Sequence, residues 1–153
     1  MGKNRLCILK RIFYQENGHL QEVMRKKNRP YYMYNLVIDN IEYAIPLRSR
    51  IRHTYFFHTG YTEAGENCGI DFSKAVIITD RDRYISSKKV RIRQNEYIEI
   101  RGNEYKIKKA FERYIKKYKK AHRIVQQGKG SKTERELYEY SSLKNYNREL
   151  GLS

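Results

Sequence analysis

The sequence has no tryptophan, two prolines and two cysteines among its 153 residues. Two thiols, Cys7 and Cys68, cannot build the disulfide framework of a small secreted domain, which points to a reducing compartment. So little proline, with nine glycines, excludes a collagen-like or low-complexity chain. No apolar run approaches the roughly 18 residues of a membrane-spanning helix. The first residues, MGKNRLCILKR, lack the apolar centre of a secretory signal. The expectation is a cytoplasmic protein with no membrane partner. Missing tryptophan also weighs against a basic helix lying on a membrane, whose apolar face favours Trp, Phe and Leu.

Motifs for metals and nucleotides are missing too. The histidines are His19, His53, His58 and His122, and no HxxxH, CxxC or HExxH spacing occurs, so no zinc site is expected. There is no Gly-x-x-x-x-Gly-Lys loop to cradle a nucleotide phosphate. A two-metal nuclease needs clustered carboxylates. Asp71, Asp80 and Asp82 are the one close group, and the last two alternate with arginines. No metal and no cofactor are expected.

What is abundant is positive charge and tyrosine. Lys and Arg number 33 against 17 Asp and Glu, a net charge of +16. Such a charge opposes compaction by self-repulsion and calls for a polyanionic partner, nucleic acid first. It is unevenly spread. Residues 1–60 hold 11 basic and 4 acidic side chains, residues 61–100 hold 7 of each, and residues 101–153 hold 15 and 6. Two basic ends around a neutral middle suggest that both ends meet one ligand. The apolar fraction of 39% is low, and fifteen tyrosines, each an apolar ring with a polar tip, partly make up for it. The length suits a single domain over residues 1–153 with its own core.

Along the chain, Leu6 to Tyr14 reads as a strand, and residues 15–27 show helical spacing through Leu20, Val23 and Met24. Tyr31 to Ile38 and Ile41 to Leu47 read as two strands joined at Asp39-Asn40, a two-residue hairpin signal. Residues 59–69, TGYTEAGENCG, are rich in turn formers and read as a loop, followed by a buried strand from Phe72 to Thr79. Val90 to Ile100 has no decisive period. In residues 103–127, Ile107, Phe111, Tyr114, Tyr118, Ala121 and Val125 recur at intervals of 4, 3, 4, 3 and 4, which predicts one apolar stripe on a long helix. Lys109, Arg113, Lys116, Lys120 and Arg123 form a parallel basic stripe. Ser131 to Glu139 and Ser142 to Leu150 read as two shorter helices. Strands followed by helices predict an α+β fold, with helices against a twisted antiparallel sheet.

Residues 45–53, IPLRSRIRH, carry the most suggestive chemistry. An apolar strand becomes a dense run of cations around Ser49. The bland reading is a solvated loop, and a lone histidine such as His53 is more often structural than catalytic. The sharper reading is a phosphate site. Metal-free RNA cleavage uses the 2′-hydroxyl of the RNA as nucleophile. It needs one proton removed, charge on the phosphate oxygens stabilised and one proton delivered to the leaving 5′-oxygen. Arginine forks match phosphate, a serine hydroxyl can bond it, and histidine titrates near neutrality. A continuing strand would place Arg48, Arg50 and Arg52 on one face and Ser49 with His53 on the other. The phosphate reading therefore requires the regular strand to end near Arg48. An antiparallel hairpin would also bring the basic run RKKNR, residues 25–29, beside Arg48 and Ser49.

The runs RPYYMYNLVIDNIEYAIPLRSRIRH and NCGIDFSKAVIIT resemble the TenpN group of type III toxin–antitoxin ribonucleases, related to ToxN, AbiQ and CptN. The family's hairpin begins after a lysine and leaves through Ala-Pro-Leu-Thr-Ser-Pro-Lys. Aligned without gaps, Tyr43, Pro46, Leu47 and Ser49 fall on their counterparts, Arg29 on the first lysine, and Lys74 on a lysine of the later strand. Arg48 replaces the threonine, and the second lysine's place falls on Ile51, next to Arg52. SSLKNYNREL resembles the family's last helix.

The resemblance implies a compact, highly twisted antiparallel β-sheet core with flanking helices, related to the MazF and Kid toxins. It implies a sequence-specific, metal-independent endoribonuclease that leaves a 2′,3′-cyclic phosphate on cellular or phage mRNA. It also implies inhibition by a small repetitive pseudoknot RNA, the antitoxin, in a closed protein–RNA assembly. On this reading Ser49 binds or polarises the scissile phosphate, Arg29 and Arg52 clamp its charge, His53 is the leading acid or base, and Arg48 is a further catalytic candidate. Arg50, Lys74, Lys26, Lys27, Tyr31, Lys109, Lys116 and Lys120 are the RNA-binding candidates. A non-catalytic RNA-binding protein is the alternative. A DNA-binding phage or plasmid protein is a third, without a helix-turn-helix to support it.

Overall fold

A computed structural model describes residues 5–20, 22 and 31–152. The fold is α+β: among the described residues a six-stranded antiparallel sheet carries five helices and two short 3₁₀ turns. The centre is the hairpin of β2 (Tyr32–Ile38) and β3 (Ile41–Arg48). Its turn residues have positive φ, 52° at Asp39 and 65° at Asn40. Both central residues of a type I′ turn require this, and Asp and Asn tolerate it. The tight turn fixes the register from Ile38 opposite Ile41 to Met33 opposite Pro46.

β3 is the sheet's spine. One edge pairs with β2, and the other pairs first with β6 (Val76–Ile77), at Tyr43 and Ala44, and then with β5 (Asn67–Asp71), at Leu47 and Arg48. Pro46, which has no N–H to give, lies between these two pairings. Strand β1 (Leu6–Ile8) closes one side against β2, and β4 (Phe56–Tyr61) closes the other against β5. Gly69 sits between Arg48 and His58 of its two neighbours. A Cβ there would stand 2.2 Å from the Phe57 carbonyl oxygen, so the three strands can meet at this point only around a glycine.

Helix α4 (Glu104–Gln126) is the predicted long helix, about 35 Å from end to end. Ile107, Phe111, Tyr114, Tyr118 and Ala121 are buried as the spacing requires. Phe111 meets Tyr43 edge-on at 4.9 Å and Phe72 at 5.3 Å. Two buried tyrosine hydroxyls tie this helix to the C-terminal segment: Tyr114 Oη pairs with Ser141 Oγ at 2.6 Å, and Tyr118 Oη donates to Asn147 Oδ1 at 2.6 Å. Helix α5 (Lys132–Glu139) starts at Ser131 with a reciprocal capping box to Glu134.

Several expectations change. Leu6 to Tyr14 divides into the short β1 and helix α1 (Arg11–Glu16), which turns Phe13 into the core. The helix expected over residues 15–27 does not include Leu20, and Val23 and Met24 lie outside the described residues. The expected loop at 59–69 is the hairpin of β4 and β5; a bulge at His58–Gly60 breaks the alternation that would have revealed it. The expected strand at 72–79 is a 3₁₀ turn at Phe72–Lys74 followed by the two-residue β6. Asp80 caps the short α2 (Arg81–Tyr84). The ambiguous stretch becomes an extended approach, residues 90–93, into α3 (Gln94–Arg101). The last expected helix is a 3₁₀ turn, Ser142–Tyr146. Ser142 Oγ donates to the carbonyls of Ser73, at 3.1 Å, and of Ala75, tying this end to the turn after β5.

Candidate functional site

Strand β3 ends at Arg48, as the phosphate reading requires, and Ser49 and Arg50 form a bend. Arg50 has φ of 59°, a left-handed conformation that costs a non-glycine residue about 1 kcal/mol or more. Ile51 holds the bend in place. Its side chain is buried, and its N–H donates to the Asn67 carbonyl at 3.1 Å. The arginines either side of Ile51 stay outside. Arg50 Nε lies 3.3 Å from Glu66 Oε1, and Arg52 is exposed.

Beneath the bend lies Asp71, at the end of β5 and wholly buried. One oxygen, Oδ2, accepts from Arg48 Nη1 at 2.5 Å. The other, Oδ1, accepts from the Ser73 amide at 3.0 Å and Ser73 Oγ at 2.6 Å, and lies 3.1 Å from His53 Nε2. Burial by itself would raise the Asp71 carboxyl. Hydrogen bonds from His53, Ser73 and Arg48 outweigh it and hold the group below its ordinary range. His53 Nδ1 accepts from the Tyr55 N–H at 2.9 Å, which fixes the neutral ring's proton on Nε2, facing Asp71. Ser73 Oγ is 3.3 Å from that same nitrogen. This is not a nucleophilic triad, in which the nucleophile and the orienting carboxylate occupy opposite nitrogens of the histidine ring. It is an anchor that holds Arg48.

Arg48 and Ser49 open onto a cleft of about 430 Å³. Tyr31, Tyr32, Arg48 and Ser49 line it from the hairpin, Arg91 and Arg93 from the approach to α3, and Glu96 from the first turn of α3. Leu47, Ile92 and Cys68 give it an apolar part. Cys68 is buried and its thiol is pushed up by that burial, so it is not a reactive thiolate. Tyr32 is 45% exposed, so the cleft presents an aromatic ring to solvent beside its cations. Among the described residues, Arg91 and Arg93 enter no ion pair. Cations that converge without carboxylate partners suit an anion with several oxygens.

The predicted residues are thus divided. Arg48, Ser49 and Tyr31 meet in the cleft. His53 joins them only through Asp71. Arg50 and Arg52 do not line the cleft, and Arg91 and Arg93 stand where the second half of a charge clamp was expected. Lys74 is drawn away: its Nζ donates to Glu22 Oε1 at 2.7 Å and to the Tyr140 carbonyl at 3.0 Å. Lys109, Lys116 and Lys120 are exposed on α4, with Lys109 Nζ 3.5 Å from Glu112 Oε1 and 5.5 Å above the Tyr105 ring. Arg29, Lys26 and Lys27 lie outside the described residues. The residues missed in sequence are Asp71, Ser73, Arg91, Arg93 and Glu96. The alternation Arg91-Ile92-Arg93, which repeats the form of Arg50-Ile51-Arg52, was the available signal for two of them.

Among the described residues, no group of three or more His, Cys, Asp or Glu side chains could hold a metal ion. No helix among them is long and apolar enough to cross a membrane. Comparison of the chain with protein-family models, curated proteins and solved structures finds no match.

Proposed function

We propose that this chain is a metal-independent endoribonuclease, the toxin of a type III toxin–antitoxin system, acting in the cytoplasm with a ToxN-like twisted sheet. The observation that carries this reading is the convergence of Arg48, Ser49, Arg91 and Arg93 with Tyr31 and Tyr32 in one cleft. A single-stranded RNA laid there meets cations for its phosphates and aromatic rings for its bases. The 2′-oxygen attacks phosphorus, the bond from phosphorus to the 5′-oxygen breaks, and a 2′,3′-cyclic phosphate remains. One proton leaves the 2′-hydroxyl and one reaches the 5′-oxygen. Arg48, held by Asp71, and Arg91 and Arg93 stabilise the charge that builds on the phosphate oxygens. A single preorganised donor in such a position is worth about 10²–10³ in rate. Ser49 bonds the same phosphate. His53, with Nε2 towards Asp71 and Nδ1 on the Tyr55 amide, orients Arg48 through the carboxylate. The exposed lysines of α4 extend the path for substrate mRNA and for the repetitive pseudoknot antitoxin RNA, which together with the toxin forms a closed assembly.

The engagement of both His53 ring nitrogens gives the second reading its support: a protein that binds RNA in this cleft without cutting it. Expression and biochemistry separate the two. Wild-type protein alone is expected to arrest growth, and Ser49→Ala to relieve the arrest. Purified protein in EDTA is expected to yield RNA ends carrying cyclic phosphate. Equal toxicity of Ser49→Ala counts against the role given to Ser49, and RNA binding without cleavage favours the second reading.

A further inference from the structure

One group in the cleft has the wrong sign for a surface that binds phosphates alone. Glu96 lines it together with Arg48, Arg91 and Arg93. Among the described residues its carboxylate forms no ion pair with any of them. Instead Oε1 accepts from Thr59 Oγ1 at 2.8 Å, and Thr59 is itself buried, 4% exposed, on strand β4. Oε2 takes no hydrogen bond among the described residues. A carboxylate on the wall of the cleft is thus fixed by a buried hydroxyl of another element, with acceptor capacity to spare. A phosphate would be repelled from it and drawn to the arginines. A nucleobase would not: its edge donors suit a carboxylate with lone pairs to spare.

Resting on the RNA-binding role proposed for this cleft, we infer that Glu96 is its base-reading residue, selecting a nucleobase that carries an exocyclic amine and rejecting uracil. Guanine offers N1–H and the N2 amine side by side, a pair of donors matched to one carboxylate. Adenine and cytosine offer one amine beside a ring-nitrogen acceptor. Uracil offers a single N3–H flanked by two carbonyl oxygens, both of which repel the carboxylate. The order of preference is guanine, then adenine and cytosine, then uracil. Thr59 serves as a positioning residue that sets the carboxylate's direction.

The test uses 2′-O-methyl oligouridine nonamers, which cannot cyclise, with guanine, inosine, adenine, cytosine or uracil at the central position. Binding to the full chain is followed by fluorescence anisotropy. A good bidentate contact discriminates by about 1–3 kcal/mol, so guanine should bind at least roughly 5-fold tighter than uracil. Inosine, which lacks the N2 amine, should fall between them. Glu96→Gln keeps an oxygen for the Thr59 hydroxyl but replaces the second oxygen with an amide donor. It should bring the five affinities close together and improve uracil, with an unchanged unfolding midpoint. Thr59→Val should weaken the discrimination in the same direction. If Glu96→Gln keeps the wild-type order, Glu96 only ties α3 to β4 and the inference is wrong. Tight wild-type binding without base preference also overturns it, while leaving RNA binding intact. Failure to bind any of the five removes both the inference and the RNA reading beneath it.

Discussion

Replacing Asp71 with asparagine tests whether the anchor beneath the bend has the weight assigned to it. The side chain is wholly buried and serves Arg48 at 2.5 Å, His53 at 3.1 Å, and the Ser73 amide and hydroxyl at 3.0 and 2.6 Å. Asparagine has nearly the same shape but loses the charge and turns an NH₂ towards Arg48 or His53, donor against donor. Breaking a fully buried ion pair costs about 3–5 kcal/mol. Here the Arg48 and His53 side chains are 24% and 32% exposed, so water recovers part of the loss and about 2–4 kcal/mol is expected. For a chain of 153 residues that lowers the melting temperature by roughly 4–16 °C. The acid limb supplies an independent check. The folded carboxyl lies below its usual value of 3.8, so on acidification the unfolded chain takes up its proton first. The stabilisation is complete above that value and is lost as pH falls through the folded one. Urea unfolding at pH 5 and pH 3 should therefore show the gap between wild type and Asp71→Asn closing in acid. Neutral-pH stabilities within about 0.5 kcal/mol of each other, the range of an ordinary surface substitution, or a gap that widens in acid, would refute the assignment.

Two further variants bear on the sheet and the cleft. Gly69→Ala places a methyl 2.2 Å from the Phe57 carbonyl oxygen and 2.7 Å from the Phe56 ring, an overpacking expected to cost about 3 kcal/mol or more in a urea titration; a wild-type midpoint would mean the three strands do not meet as closely as described. Arg91→Ala combined with Arg93→Ala should leave the unfolding midpoint within about 0.5 kcal/mol of wild type. It should also lower the slope of log K against log salt for single-stranded RNA by about 1.4, at roughly 0.7 for each phosphate no longer neutralised; an unchanged slope would remove both arginines from the RNA path.

The parts legible in the sequence are those with local causes. Asp39-Asn40 accepts two positive φ values and so declares the hairpin. The stripe from Ile107 to Ala121 needs only helical periodicity to place Phe111 and Tyr118 in the core. The bend after Arg48 was legible only as a requirement of the phosphate reading, since a continuing strand would turn Ser49 and the arginines to opposite faces. The remainder depends on distant pairings. His53 and Asp71 meet only because β5 returns beside β3, and that hairpin was hidden by the bulge at His58–Gly60. Arg91 and Arg93 disappeared into the neutral average of residues 61–100, although both line the cleft. Lys74 is the converse case, since its match to a lysine of the resembling family gave no sign that Glu22 and the Tyr140 carbonyl would bond it.

Arg48 belongs to the fold and to the cleft at once. A lone arginine at a strand end would hold its guanidinium in many positions, and fixing it would cost about 2 kcal/mol of side-chain entropy on binding. Asp71 fixes Nη1 during folding, when His53 and Ser73 share the burden of a buried carboxylate. The residue lines a cleft that also contains Arg91 and Arg93. The same contact that stabilises the sheet therefore also holds Arg48 for the proposed anion site, so substitutions at Asp71 should weaken RNA binding and stability together. Substitutions at Arg91 and Arg93, which take no part in the anchor, should affect binding alone.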